Sequence, residues 1–143
     1  MSETLTLETA RGIVAACFRK AAELKLKPLT VVVLDAAGAI KLMERADGSS
    51  LLRPEIAVGK AYGAVAMGLG SRALFKRAQE QPYFIQSMNA LAGGSLVPVP
   101  GGVLIRKDGV LVGAVGITGD TSDNDEACAI AGIESAGLTA DAG

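Results

Sequence analysis

Near the start of the chain, apolar residues recur at three- and four-residue steps: Leu7, Ala10, Ile13, Val14, Cys17, Ala21 and Leu24. Arg11, Arg19, Lys20 and Glu23 fall largely on the opposite face, so the spacing predicts an amphipathic helix. Thr6 is its expected N-cap, Glu8 sits in its first turn, and Pro28 closes the segment. The period then changes. Leu29 to Leu34 is an uninterrupted β-favouring run, Asp35-Ala36-Ala37-Gly38 reads as a turn, and Ala39 to Glu44 completes a hairpin. Pro54 suits the first turn of a second helix running to about Leu69. That helix carries Ala57, Ala61, Gly63, Ala64 and Gly68, a density of small residues that predicts close contact with another backbone.

Ser71 is the expected cap of a short third helix ending at about Gln79, and Gln81 to Ala92 carries mixed signals and reads as irregular. Three strands are predicted next: Leu96 to Val99, Val103 to Lys107 and Val110 to Thr118. Asp108-Gly109 is a strong hairpin signal between the last two. Pro98 and Pro100 confine the first to an edge or a bulge. The polar run from Asp120 to Asp125 introduces a last helix, capped by Asp123 or Asp125 with Glu126 in its first turn and ended by Gly137. Leu138 to Gly143 is expected to fray. The order gives one α+β domain over residues 1–143, an antiparallel sheet with helices against it.

Composition narrows the classes of function. Of 143 residues, 50% are hydrophobic and 20% charged, which supports a packed core and excludes wholesale disorder. Fourteen Lys and Arg against fifteen Asp and Glu leave a net charge of -1, which argues against a nucleic-acid or anionic-membrane binder. Histidine is absent, removing the commonest general base and metal ligand. The acidic run does not match a calcium loop either, since Asp125 and Ala131 occupy the positions where Gly and Glu are needed; no metal is expected. Cys17 and Cys128 have no C-x-x-C spacing and read as small buried hydrophobes. No secretory pattern opens the chain and no apolar run approaches the roughly 20 residues of a membrane span, so a cytoplasmic setting is expected.

The candidate chemistry gathers at a few polar positions. Arg45 and Asp47 follow the hairpin, and Lys60 lies on the next helix. An Arg fork suits a carboxylate, and a Lys beside it can anchor or move a proton. A structural ion pair, Arg45 or Lys60 with Asp47 or Glu44, is the alternative. Gly101-Gly102 can offer bare amides to a carboxylate or carbonyl oxygen, or simply form a tight turn. Beside the capping role of Asp123 or Asp125, with Glu126 in the first turn, stands the alternative that Glu126 or Asp125 faces the same pocket as Lys60 and acts as a carboxylate base. Gly113, Gly116 and Gly119 admit a helix or a neighbouring subunit at close range. Tyr83 and Phe84 read as a lid, an oligomer contact or core filling.

Several of these segments, in order, resemble one family. They are Asp35 to Gly38, Arg45 to Gly48, Ile56 to Ala61, Pro100 to Val103, Gly113 to Gly119, and Asp125-Glu126. They are similar to the GlcG/HbpS family of haem-binding or haem-degrading domains, which also forms the C-terminal part of PduO-type proteins. The resemblance covers roughly residues 5 to 137. It implies a profilin-like α/β/α sandwich, a homo-oligomer and ligand sites near subunit surfaces. Members are linked to haem binding and degradation, to glycolate-utilisation operons or to cobalamin-related proteins. Without His, iron would have to be held by Tyr, Cys, Met or Thr, and the chain has only five aromatic residues. The first expectation is therefore a cofactor-free, small-ligand protein of carbon metabolism, a lyase or isomerase acting on a carboxylated metabolite. It would use Lys60 and Glu126 as catalytic groups and Arg45, Asp47, Gly101 and Gly102 as binding groups. The alternative is a haem or tetrapyrrole binder acting as sensor, scavenger or degrader.

Overall fold

The computed structural model describes residues 5–143. Helix α1 (Leu7–Leu24) starts where Thr6 Oγ1 accepts the Thr9 amide at 3.1 Å and stops at Lys25, which takes a left-handed conformation. Strands β1 (Thr30–Asp35) and β2 (Ile40–Arg45) form the expected hairpin. Its turn is held by Asp35 Oδ1, which accepts the amides of Ala37 (2.9 Å) and Ala39 (3.0 Å). Helices α2 (Arg53–Met67), α3 (Ser71–Glu80) and α4 (Pro82–Leu91) follow. Strands β3 (Gly102–Lys107) and β4 (Val110–Thr118) turn through Asp108 and Gly109, both at positive φ as a type I′ hairpin requires. Helix α5 (Ser122–Ser135) and strand β5 (Thr139–Asp141) complete the chain.

The five strands form one antiparallel sheet in the order β2-β1-β4-β3-β5, with helices on both faces. Alternation along the strands divides the interior in two. Val31, Val33, Val103, Ile105, Val115 and Ile117 face α1 and α5, where they meet Ile13, Val14, Cys17 and Ile133. Val32, Leu34, Leu104 and Ala114 face α2 and its alanines Ala57, Ala61 and Ala64. Gly102 and Gly116 are cross-strand partners on the α2 face. A Cβ at Gly116 would fall far inside contact distance of the Ala57 carbonyl, and one at Gly102 would do the same at the Lys60 carbonyl. The small residues of α2 therefore do admit a second backbone, and that backbone is the sheet's own.

Four local expectations are corrected. Gln81 to Ala92 is not irregular: it holds α4, opened by Pro82, although Ile85 is its only buried side chain. Leu96 to Val99 forms no strand; it crosses α2, where the Val97 amide reaches the Gly59 carbonyl at 3.2 Å and two prolines remove donors that a ladder would need. The segment after Leu138 does not fray, because β5 pairs with β3 and Asp141 bonds Arg106 Nε at 3.0 Å. The caps also differ. Thr121, not Asp123 or Asp125, caps α5 by accepting the Asn124 amide, and Ser71 lies inside α3 behind its N-cap Gly70.

Candidate functional site

Lys60 sits midway along α2 and is 2% exposed. Its Nζ donates to the Ile117 carbonyl at 2.9 Å and to Asp125 Oδ2 at 3.2 Å. Asp125 is 1% exposed, and its other oxygen accepts the Asp120 amide at 3.0 Å. Gly101-Gly102 lies directly against the Lys60 side chain and backbone, with the Gly102 amide donated to Ser71 Oγ at 2.7 Å and the Gly101 carbonyl accepting the Ile117 amide at 2.9 Å. Burial pulls the Lys60 amine below its ordinary value, against the opposing pull of Asp125. Burial likewise pushes the Asp125 carboxyl up, against the opposing pull of Lys60. The pair ties α2 to the end of β4 and to the first turn of α5 with every buried polar side chain satisfied among the described residues.

The six residues expected to form one site thus occupy three places. Lys60, Gly101 and Gly102 come together, joined by Ser71 and Asp125. Arg45 ends β2 and Asp47 follows it; Arg45 Nη1 donates to the Ser49 carbonyl at 2.8 Å and Asp47 is exposed. The ion-pair partner of Lys60 is Asp125, not Asp47. Glu126 is drawn away to Arg72, accepting from its Nε at 2.9 Å, while Asp123 binds the same guanidinium. In the sequence Ser71 reads as a helix cap and nothing local marks Arg72; neither lies near its partner in the chain, and only the fold brings them together.

An apolar cleft of about 400 Å³ opens between β2, the start of α2 and the segment 94–97. Ile40, Met43, Pro54, Val58 and Val97 supply its walls, and Glu55 is a carboxylate in its lining. Ile40 and Met43 are three apart, yet both align with strand positions facing α2. The register shifts so that Leu34 pairs with Ile40 while Val33 pairs with Leu42, leaving Lys41 as an extra residue. The Met43 thioether is a soft donor facing an apolar space. The thiols are unsuited to that role: both are buried, and burial pushes Cys17 up to about 12 and Cys128 up to about 11. A second cleft of about 290 Å³, lined by Arg72, Phe75, Val99, Pro100 and Thr121 to Asp123, has its cation already matched by Asp123 and Glu126. No group of three or more His, Cys, Asp or Glu among the described residues is placed to hold a metal ion, and no described helix is long and apolar enough to cross a membrane.

Comparison with known proteins gives this geometry its context. The chain is 30% identical over 124 residues to an uncharacterised 15.0 kDa protein of Citrobacter freundii encoded between dhaT and dhaS, covering 85% of this chain and 84% of that one. It is 27% identical over 121 residues to the corrinoid adenosyltransferase PduO of Salmonella typhimurium, covering 85% of this chain but only 35% of PduO. Among solved structures, the crystal structure of a PduOC–haem complex superposes with a TM-score of 0.86 at 26% identity, covering 95% of this chain and 97% of that one. Residues 5–134 match the family of HbpS-like haem-degrading proteins, and the chain belongs to that family.

Proposed function

We propose that this protein binds haem or a related tetrapyrrole in the apolar cleft between β2 and α2. The observation that carries the reading is the likeness, over almost the whole chain, to PduOC in its complex with haem. The cleft fits such a group in character: its walls are aliphatic, its volume of about 400 Å³ suits part of a flat macrocycle, and Met43 offers the one thioether in its lining. Met43 would hold the iron, and Ile40, Pro54, Val58 and Val97 would exclude water from the ring. The bound group itself would supply a redox-active iron centre.

This reverses the order of the two readings drawn from the sequence. Nothing in the relatives speaks for a carboxylate lyase or isomerase, and haem displaces the expectation of a cofactor-free protein. Lys60, the proton-transfer group of the first reading, has its amine committed to Asp125 and Ile117 in the interior. A homo-oligomer remains part of the proposal. Leu51 is 90% exposed and Ile40 57% exposed, surface that suits burial against a second copy.

Titrating haemin into the purified protein tests the reading. We expect a saturable Soret change that Met43→Ala weakens or shifts in wavelength. A Soret band identical to that of free haemin at every protein concentration would overturn it.

A further inference from the structure

Arg53 opens α2 and lines a separate, smaller cleft of about 170 Å³ together with Lys27, Gly48, Ser49, Ser50 and Gly119. Its guanidinium is held in place by hydroxyls rather than by an acid: Nε donates to Ser50 Oγ at 3.2 Å and Nη1 to Thr118 Oγ1 at 2.8 Å. Among the described residues Arg53 forms no ion pair, and neither do Lys27 or Arg45. The two bonds to hydroxyls use two of the five guanidinium N–H groups, so three remain for a ligand. Ser50 accepts from Arg53, which leaves its own hydroxyl proton available to donate. Ser49 of the lining is buried with its hydroxyl paired to Thr30 at 2.8 Å, and the Thr118 hydroxyl that holds Arg53 is buried too, so both groups are fixed. Arg45 braces the same wall through the Ser49 carbonyl. The unneutralised Arg53 charge reaches inward as well, adding to the forces that lower the Lys60 amine.

A neighbouring acid selects the class of anion. Asp120 follows Gly119 and accepts from the Lys27 amide (3.0 Å), the Thr121 amide (2.9 Å) and Asn124 Nδ2 (2.8 Å). Those donors hold its carboxyl down at about 2, so it stays ionised at any working pH. The fixed negative charge of Asp120, bonded to the amide of the lining residue Lys27, penalises a dianion more than a monoanion. A planar carboxylate also matches an Arg fork with two parallel bonds.

We propose that this cleft is a binding site for a small monocarboxylate, anchored by Arg53 with Lys27 and the Ser50 hydroxyl beside it. The site stands apart from the tetrapyrrole cleft and does not depend on it. Calorimetric titration at low ionic strength, with acetate and lactate as probes, phosphate as the dianionic comparison and chloride as the control, tests it. We expect saturable binding of a monocarboxylate, weakened at least tenfold in Arg53→Gln and less strongly in Lys27→Gln, with haemin titration unchanged in both. The Lys27 variant keeps the test decisive if the Arg53 variant does not fold. Uptake no greater than that of chloride, equal binding by wild type and variants, or tighter binding of phosphate than of either monocarboxylate would overturn the proposal.

Discussion

The two faces of the sheet are closed in different ways. On the α1/α5 face, branched side chains interlock: Ile13, Val14 and Ile133 fill the space between helices and Val31, Val33, Val115 and Ile117. On the α2 face the spacing is set by missing side chains, with Gly102 and Gly116 letting helix carbonyls rest almost on the strands. A buried ion pair, Lys60 with Asp125, then fastens that helix across to α5. Bulk tolerates small errors because neighbours can shift to fill a gap. Backbone contact and a desolvated ion pair do not, since neither a carbonyl nor a lone buried charge has anywhere to go.

The sharpest way to break this contrast is Gly116→Val. The new side chain would drive into the Ala57 carbonyl and the Ala61 methyl, so we expect a loss of more than about 3 kcal/mol or failure to fold, read by chemical denaturation. Next comes the ion pair. Lys60→Met or Asp125→Leu alone strands one buried charge and should cost about 3–5 kcal/mol, whereas the double variant should recover much of that loss. A double variant no more stable than the worse single one would show that the pair acts through something other than mutual neutralisation.

The single variant also has a pH signature. In Lys60→Met, burial still pushes the Asp125 carboxyl up, and the nearby amine that opposed this is gone. A raised folded-state value means the native state binds the proton more tightly than the unfolded chain. The variant should therefore gain stability as pH falls from neutral through that raised value, with the gain complete below the ordinary carboxyl value of 3.8. Denaturation midpoints at several pH values check the sign. The smallest effect belongs to the other face, where Ile133→Val should cost about 0.5–1.5 kcal/mol.

What the sequence made legible follows the same division. Helix α1 and the strands of the α1/α5 face advertise themselves by period, because the buried residues of α1 recur at helical spacing and the strand positions facing it are Val and Ile. The tight face is written in glycines and alanines, which predict close approach without saying what approaches. The Lys60–Asp125 pair joins residues 65 positions apart, and nothing local distinguishes Asp125 from the other acids of the 120–126 run. Helix α4 was hidden because Tyr83 and Leu91 are exposed, so its apolar residues do not mark a buried stripe. Thr121 sits among aspartates of similar capping propensity, and only backbone geometry tells them apart.

The extra residue at Lys41 has a bearing on how the molecule behaves in a crowded solution. A sheet must end somewhere, and each free border is an invitation for another chain to add a strand. One border here is β5, only three residues long. The other is β2, whose register is broken at Lys41 and whose exposed end carries Glu44 and Arg45. A chain attempting to extend the sheet on that side meets an interrupted ladder and charge that it would have to match. The shift that places Ile40 and Met43 in one cleft therefore also guards the protein against polymerising through its own edge.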